Sequence, residues 1–297
     1  MEALLNLAHS AQYVRTLLDL EAFAPISANL RSVSERLADS STVSILIPSS
    51  ITGAIASAIL EAAMLDAEIP YRRRFSPRKV SPPCIVISEK ISENDQKSSI
   101  DPISLNISPI FSVGLRGFDG DPKRGMLSAV AQAAGLAELI APGGNRTRNL
   151  RPWLLAGNWL GDSIDQGYDP IYSSLRNHLR EEGSIRVVPL PEVDSPDLSE
   201  LSQLDKEREE STRETWSALD ADAKAEAMST LVLPEVISDK ISTTRLEELV
   251  WHRIIISNSD NDLHSIISQI SGVFDGTTSS INQLIDQLIS CDFDSFN

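Results

Sequence analysis

The chain has 297 residues, 41% of them hydrophobic, enough for one large domain or two ordinary ones around a real core. Acidic residues number 42 against 26 basic ones, and the formal charge of -16 repels phosphate backbones, which excludes sequence-independent nucleic-acid binding by the whole surface. Cys84 and Cys291 are the only cysteines, so neither a disulfide framework nor a cysteine metal cage can be built, and a reducing compartment fits best.

In chain order, apolar residues at helical spacings come first. Leu4, Leu5, Leu7, Ala8, Ala11 and Val14, then Leu30, Val33 and Leu37, predict two helices before residue 40. The opening Met1-Glu2-Ala3-Leu4-Leu5 lacks the basic start of a signal peptide. No apolar run approaches the roughly 18 residues of a membrane span, so a cytoplasmic protein without membrane association is expected. From 43 to about 190 the pattern alternates: strand 43–47, helix 54–68, strand 84–88, helices 126–140, 152–160 and 171–182, and strand 184–190. Short β-rich runs between helices predict an α/β fold, a mostly parallel sheet with helices on both faces. Pro82-Pro83 punctuates the start of the strand at Cys84.

From Pro191 to Glu214 the composition turns to Asp, Glu, Ser, Lys and Arg, most densely over 205–210. This shift divides the chain into an α/β domain over 1–192, a charged linker or solvated helix over 193–215, and a smaller, mainly helical region over 216–297. That last region carries one candidate strand at Ile254-Ile255-Ile256 and a stripe, Ile281, Leu284, Ile285 and Leu288, that reads as core.

Several stretches carry a family pattern. Val43-Ser44-Ile45-Leu46-Ile47, a turn at Gly53 and the small-residue run to Leu60 form a strand, turn and helix. Then follow Cys84-Ile85-Val86-Ile87-Ser88, Leu105-Asn106-Ile107-Ser108-Pro109, Gly117-Phe118-Asp119-Gly120, the run Met126 to Val130, Gly157 to Gly161-Asp162, and the strand-like Ser184-Ile185-Arg186-Val187. In this order and spacing they resemble the DHH-family phosphoesterases, specifically the archaeal RecJ-like proteins and the RecJ-like subunit of the CMG helicase. The stretch from Trp216 to Leu231 is similar to the segment that follows the nuclease domain in that group, so the resemblance covers most of residues 1 to 260.

The resemblance implies a two-metal site in which the first strand ends in Asp-x-Asp-Gly, the second in Asp, and an Asp-His-His signature falls between Ser88 and Asn106. Ser50, Thr52 and Ser88 stand at those ligand positions, Gly53 is retained, the interval from Ser88 to Asn106 contains no histidine, and of the acid set only Asp162 persists. Hard divalent cations prefer carboxylate oxygen, and neutral hydroxyls supply neither its charge nor its affinity. Ser50, Thr52, Gly53, Ser88 and Asp162 are therefore read as vestigial, with no catalytic residue, metal or cofactor expected. For Asp162 the expected role is to accept backbone N–H bonds or cap the turn after Gly161.

No other enzyme signature stands in the chain. Gly143-Gly144 lacks the Gly-Lys-Ser/Thr of a phosphate loop, Asp119-Gly120-Asp121 lacks EF-hand spacing, and no Gly-x-Ser-x-Gly is present. His9, His178, His252 and His264 are dispersed and read as surface or core residues. Two basic clusters, Arg72-Arg73-Arg74 through Arg78-Lys79 and Arg146, Arg148 and Arg151, are either scattered surface cations or phosphate contacts. By resemblance, the expected function is a catalytically inactive scaffold of DNA replication or repair that binds a GINS-type subunit or MCM helicase. One alternative is a single-stranded nucleic-acid module whose vestigial cleft, freed of charge by Ser50 and Thr52, holds a strand through Arg72, Arg73, Arg74 and Arg151. The other is a regulatory subunit of an active nuclease.

Overall fold

The computed structural model of the protein describes residues 16–77, 80–91 and 99–291, so Leu4 to Val14, His9, Arg78 and Lys79 lie outside the described residues. Five strands, β1 (Val43–Leu46), β2 (Tyr71–Arg74), β3 (Cys84–Ile87), β4 (Ser99–Ile100) and β5 (Ile103–Ile107), form a sheet in the spatial order β2-β1-β3-β5-β4. All neighbours are parallel except β4, which runs antiparallel to β5 at one edge. β6 (Ile110–Arg116) and β7 (Pro122–Leu127) make an antiparallel hairpin, and β8 (Ile185–Val188) pairs antiparallel with β9 (Arg253–Ile256).

Around these strands lie α1 (Ser27–Leu37), α2 (Ile51–Asp66), α3 (Ala129–Ile140), α4 (Asn145–Leu150), α5 (Ala156–Trp159), α6 (Ser163–Gln166) and α7 (Pro170–Glu181). The later part of the chain supplies α8 (Lys206–Trp216), α9 (Ala221–Ser238), α10 (Thr243–Trp251), α11 (Leu263–Val273) and α12 (Thr278–Ser290). The fold is α/β, a mostly parallel sheet flanked by helices with further helices at the C-terminal end, as the alternating pattern predicts. Among the described residues no helix is long and apolar enough to cross a membrane.

Period-two alternation orients the strands. Val43, Ile45 and Ile47, Ile85 and Ile87, and Ile103, Leu105 and Ile107 are all buried and share one face, which α1, α2 and α3 contact. α2 is apolar around nearly its whole circumference, from Gly53 to Met64, because it is wedged between α3 on one side and α12 on the other. The α12 stripe of Ile281, Leu284, Ile285 and Leu288 packs there as core.

Two local features differ from the sequence reading. Helix 126–140 starts at Ala129, because Met126 and Leu127 close the β7 strand and Ser128 caps α3 by accepting from the N–H of Ala131 at 3.2 Å. β2 was not expected: Tyr71-Arg72-Arg73-Arg74 has no apolar run, since an edge strand can present charge. The charged stretch over 205–210 lies at the start of a helix, one of the two forms expected for 193–215, and that helix is tied to the rest of the chain. Asp205 caps α8, Glu209 is buried, and Trp216 donates its indole N–H to Glu192 at 2.9 Å.

The C-terminal region docks through aromatic and ionic contacts as well as the β8–β9 ladder. The ring of His264 on α11 stacks on Trp159 with centroids 3.9 Å apart, and the Arg245 guanidinium lies 4.5 Å from the same indole. The fully buried His264 meets the Tyr172 hydroxyl at 3.2 Å, and burial, reinforced by nearby Arg253 and Arg245, holds its imidazole well below the ordinary histidine value. An unfolded histidine takes up a proton near pH 6.5, roughly, whereas His264 in the fold does not, so its contribution to stability is lost as pH falls below that value. Half-buried Glu182 and Glu200, raised by desolvation, act in the opposite sense at lower pH. The wild type should therefore lose more thermal stability between pH 7 and pH 5 than His264→Gln does. Equal losses in paired melting curves would show that His264 is protonated inside the fold.

Candidate functional site

A parallel sheet in which the strand order reverses between β1 and β3 sends the two following loops apart and opens a crevice at the carboxyl ends of those strands. The chain has a cavity of about 370 Å³ at this place, lined by Thr52 and Gly53 at the start of α2, Ile87 and Glu89 after β3, Ser128 and Ala129 at the start of α3, and Gly161 and Asp162. An outer lobe of about 450 Å³ continues from it, sharing Ile91, Met126, Ser128, Gly157, Gly161 and Asp162 and adding Asn158, Asp169, Tyr168, Phe111 and Arg124. The fold thus brings Thr52, Gly53 and Asp162, more than 100 positions apart in sequence, to one cleft.

The hydroxyls of Ser50, Thr52 and Ser88 are committed to the protein. Ser50 holds extended backbone angles before α2, its Oγ accepts from the N–H of Gly53 at 3.0 Å, and it lies 3.3 Å from Thr52 Oγ1. Thr52 donates to the carboxylate of Glu89, which is thereby placed against the positive end of α2. Ser88 does not line the cavity. Its Oγ accepts from the N–H of Lys90 at 3.3 Å and shapes the turn that carries Glu89. Among the described residues no three His, Cys, Asp or Glu side chains gather in a metal-holding arrangement. The donor set at the cleft, two hydroxyls already hydrogen-bonded and the carboxylates of Glu89 and Asp162, does not fit the two-cation centre that the family resemblance implies.

Gly53 is required by a close approach: a Cβ there would come within 2.5 Å of Pro48 Cγ and 2.7 Å of the Pro48 carbonyl oxygen. Gly53→Ala is expected to cost about 1–2 kcal/mol through forced movement of the β1–α2 turn. Chemical denaturation should show a lower midpoint with an unchanged slope; an unchanged midpoint would mean that the turn relaxes freely.

Asp162 does not do what its place in the sequence suggests. It precedes α6 but makes no side-chain capping bond; its exposed carboxylate lines both lobes of the cleft. The capping role belongs to Asp169, 5% exposed, which accepts from the N–H groups of Ile171 at 2.8 Å and Tyr172 at 3.0 Å, from Asn158 Nδ2 at 2.9 Å and from Ser163 Oγ at 2.6 Å. The signal for it was present as Asp169-Pro170, an N-cap residue followed by proline in the first helical turn.

None of the four candidate arginines lines the cleft. Arg73 is bound to Glu61 at 2.8 Å and Asp286 at 2.6 Å, and Arg151 to Glu138 at 3.0 Å and Glu182 at 2.9 Å. Arg72 is exposed on the edge strand and Arg74 is half-buried beside it. The cation that does line the outer lobe is Arg124 on β7, which shares that lining with the exposed rings of Phe111 and Tyr168, and nothing in the local sequence distinguished it. The dispersed histidines take structural places: His264 is stacked in the core, His178 lies 3.4 Å from Glu182, and His252 lies 3.3 Å from Glu248.

No family model matches the chain, and no curated protein matches it.

Proposed function

We propose that the chain is a catalytically inactive RecJ-like scaffold of DNA replication or repair, acting in the cytoplasm and binding a GINS-type subunit or the MCM helicase. The observation that carries this reading is the commitment of Ser50 and Thr52, at positions where the family's metal ligands would stand, to a helix cap and a side-chain hydrogen bond. Thr52 and the retained Gly53 line the cleft, as a vestigial site would require, while hydroxyls at the positions of the resembled ligands offer little affinity for hard cations. A fold kept without that chemistry works through its surfaces. One such surface is apolar: Leu233, Val236 and Ile237, 53%, 56% and 74% exposed, fall on one face of α9.

The nucleic-acid reading has a specific observation in its favour, Arg124 with Phe111 and Tyr168 around the outer lobe, a combination suited to stacking and phosphate contact. Against it, Glu89 and Asp162 return to the cleft the negative charge that Ser50 and Thr52 remove. An affinity pull-down of the tagged protein from its native host, washed at moderate and then high salt, separates the readings. GINS or MCM subunits retained through high salt support the scaffold. Nucleic acid alone, lost as salt rises, or a catalytic nuclease as sole partner, would transfer the assignment to the corresponding alternative.

A further inference from the structure

We propose that the cleft at the β1/β3 switch point is a docking site for a peptide segment of a partner protein, one that seats an aliphatic side chain and pairs a lysine or arginine with Glu89 and Asp162. The proposal rests on the scaffold reading in that the chain works by binding protein. Charge complementarity commits the occupant. The inner lobe is walled by Ile87, Ile91, Pro109, Met126, Val130 and Leu160, and its lining carries two carboxylates and no cation. Neither Glu89 nor Asp162 has an ion-pair partner among the described residues.

A second observation points the same way. Asn158, 2% exposed, lines the outer lobe; its Nδ2 donates to Met126 O at 2.8 Å and to Asp169, which fixes the orientation of the amide and leaves Oδ1 without a hydrogen-bond partner. That acceptor is closed off from solvent in the unliganded chain, so a ligand bringing N–H donors, such as a guanidinium, an ammonium or a peptide backbone, would satisfy it once the amide shifts toward the outer lobe.

The starts of α2 and α3 also face the inner lobe, and a helix N-terminus alone would favour an anion. Here that demand is met from within the protein, by the caps of Ser50 and Ser128 and by Glu89 held on Thr52. A phosphate entering the lobe would be repelled by the two carboxylates, whereas a cation would be attracted to them. The two lobes lie in series and share six residues, which suits an extended chain rather than one compact amine. Exposed Ile91, Phe111 and Tyr168 line that path and supply apolar cover for flanking residues. Arg124 sits only in the outer lobe, so the basic residue of the peptide belongs at the inner end.

Panning a display library of short random peptides against the full chain, with the Glu89→Gln/Asp162→Asn protein for counter-selection, tests this. The expected result is enrichment of sequences with lysine or arginine beside an aliphatic residue. Synthetic versions should bind the wild type and lose about tenfold or more in affinity for the double variant. Gly161→Arg is the second variant: a Cβ there meets nothing closer than 3.5 Å, so the backbone has room for a side chain, whose guanidinium should block the inner lobe to the same peptides, with a melting curve confirming that the variant is folded. Enrichment of acidic sequences, no enrichment, or affinities unchanged in both variants would overturn the proposal. So would an oligothymidylate strand that binds the cleft and tightens on Glu89→Gln/Asp162→Asn, which would assign the site to nucleic acid. If the double variant still retains GINS-type or MCM partners at high salt while peptide binding fails, only this site falls and the scaffold reading stands.

Discussion

Arg73→Ala is expected to lower stability by about 3–5 kcal/mol, the range for stripping one partner from a buried ion pair. Glu61 on α2 is fully buried; it accepts from the Ser57 hydroxyl at 2.8 Å and from Tyr71, and its countercharge is Arg73, whose Nε lies 2.9 and 2.8 Å from the two carboxylate oxygens. The same guanidinium reaches Asn282 at 3.1 Å and Asp286 at 2.6 Å on α12. One side chain thus ties the edge strand, the central helix and the C-terminal helix together, and alanine would leave a carboxylate buried without its countercharge. The exposed neighbour Arg72 is the control: Arg72→Ala should shift stability by no more than about 0.5 kcal/mol. Urea unfolding of the two variants decides the matter. A midpoint for Arg73→Ala equal to that of wild type would mean that this arginine is not structural and is free for phosphate after all.

That contrast shows why the sequence was legible in some places and not in others. β1, β3 and α2 announce themselves, because strands buried between layers and a helix buried all round are written as continuous apolar runs. β2 is written as three arginines, and only its register against β1 reveals a strand in which Arg73 turns toward Glu61. The basic cluster was visible; its division into a structural residue and an exposed one depends on Asp286, more than 200 positions later. Thr52, Gly53 and Asp162, which the sequence singled out by resemblance alone, line one cleft. Glu89 was not singled out, since the pattern draws attention to Ser88, and only the hydrogen bond from Thr52 across 37 positions turns the next residue into part of the site. Asn158 and Arg124 have no local signal at all, because the unmet acceptor of one and the position of the other arise from tertiary packing.

Asp169 and Asp162 give the sharpest separation between holding the cleft and serving it. Asp169→Ala removes the cap of α7 and leaves Asn158 Nδ2 and Ser163 Oγ each short of a partner, so a loss of about 3 kcal/mol is expected from the cap and the side-chain bonds together. Asp169→Asn keeps one acceptor oxygen for the N–H groups of Ile171 and Tyr172 but sets an amide against the donors of Asn158 and Ser163, and should fall between the two. Asp162→Ala removes a carboxylate that caps nothing and is exposed, and should change stability by no more than about 0.5 kcal/mol. Thermal melts of the three variants give the ordering. Were Asp162→Ala the more damaging change, the carboxylate would be holding the α5–α6 turn, and its availability to a ligand would be lost with that finding. With the ordering as expected, Asp169 fixes the wall on which Asn158 sits, and Asp162 is left free to act on whatever enters.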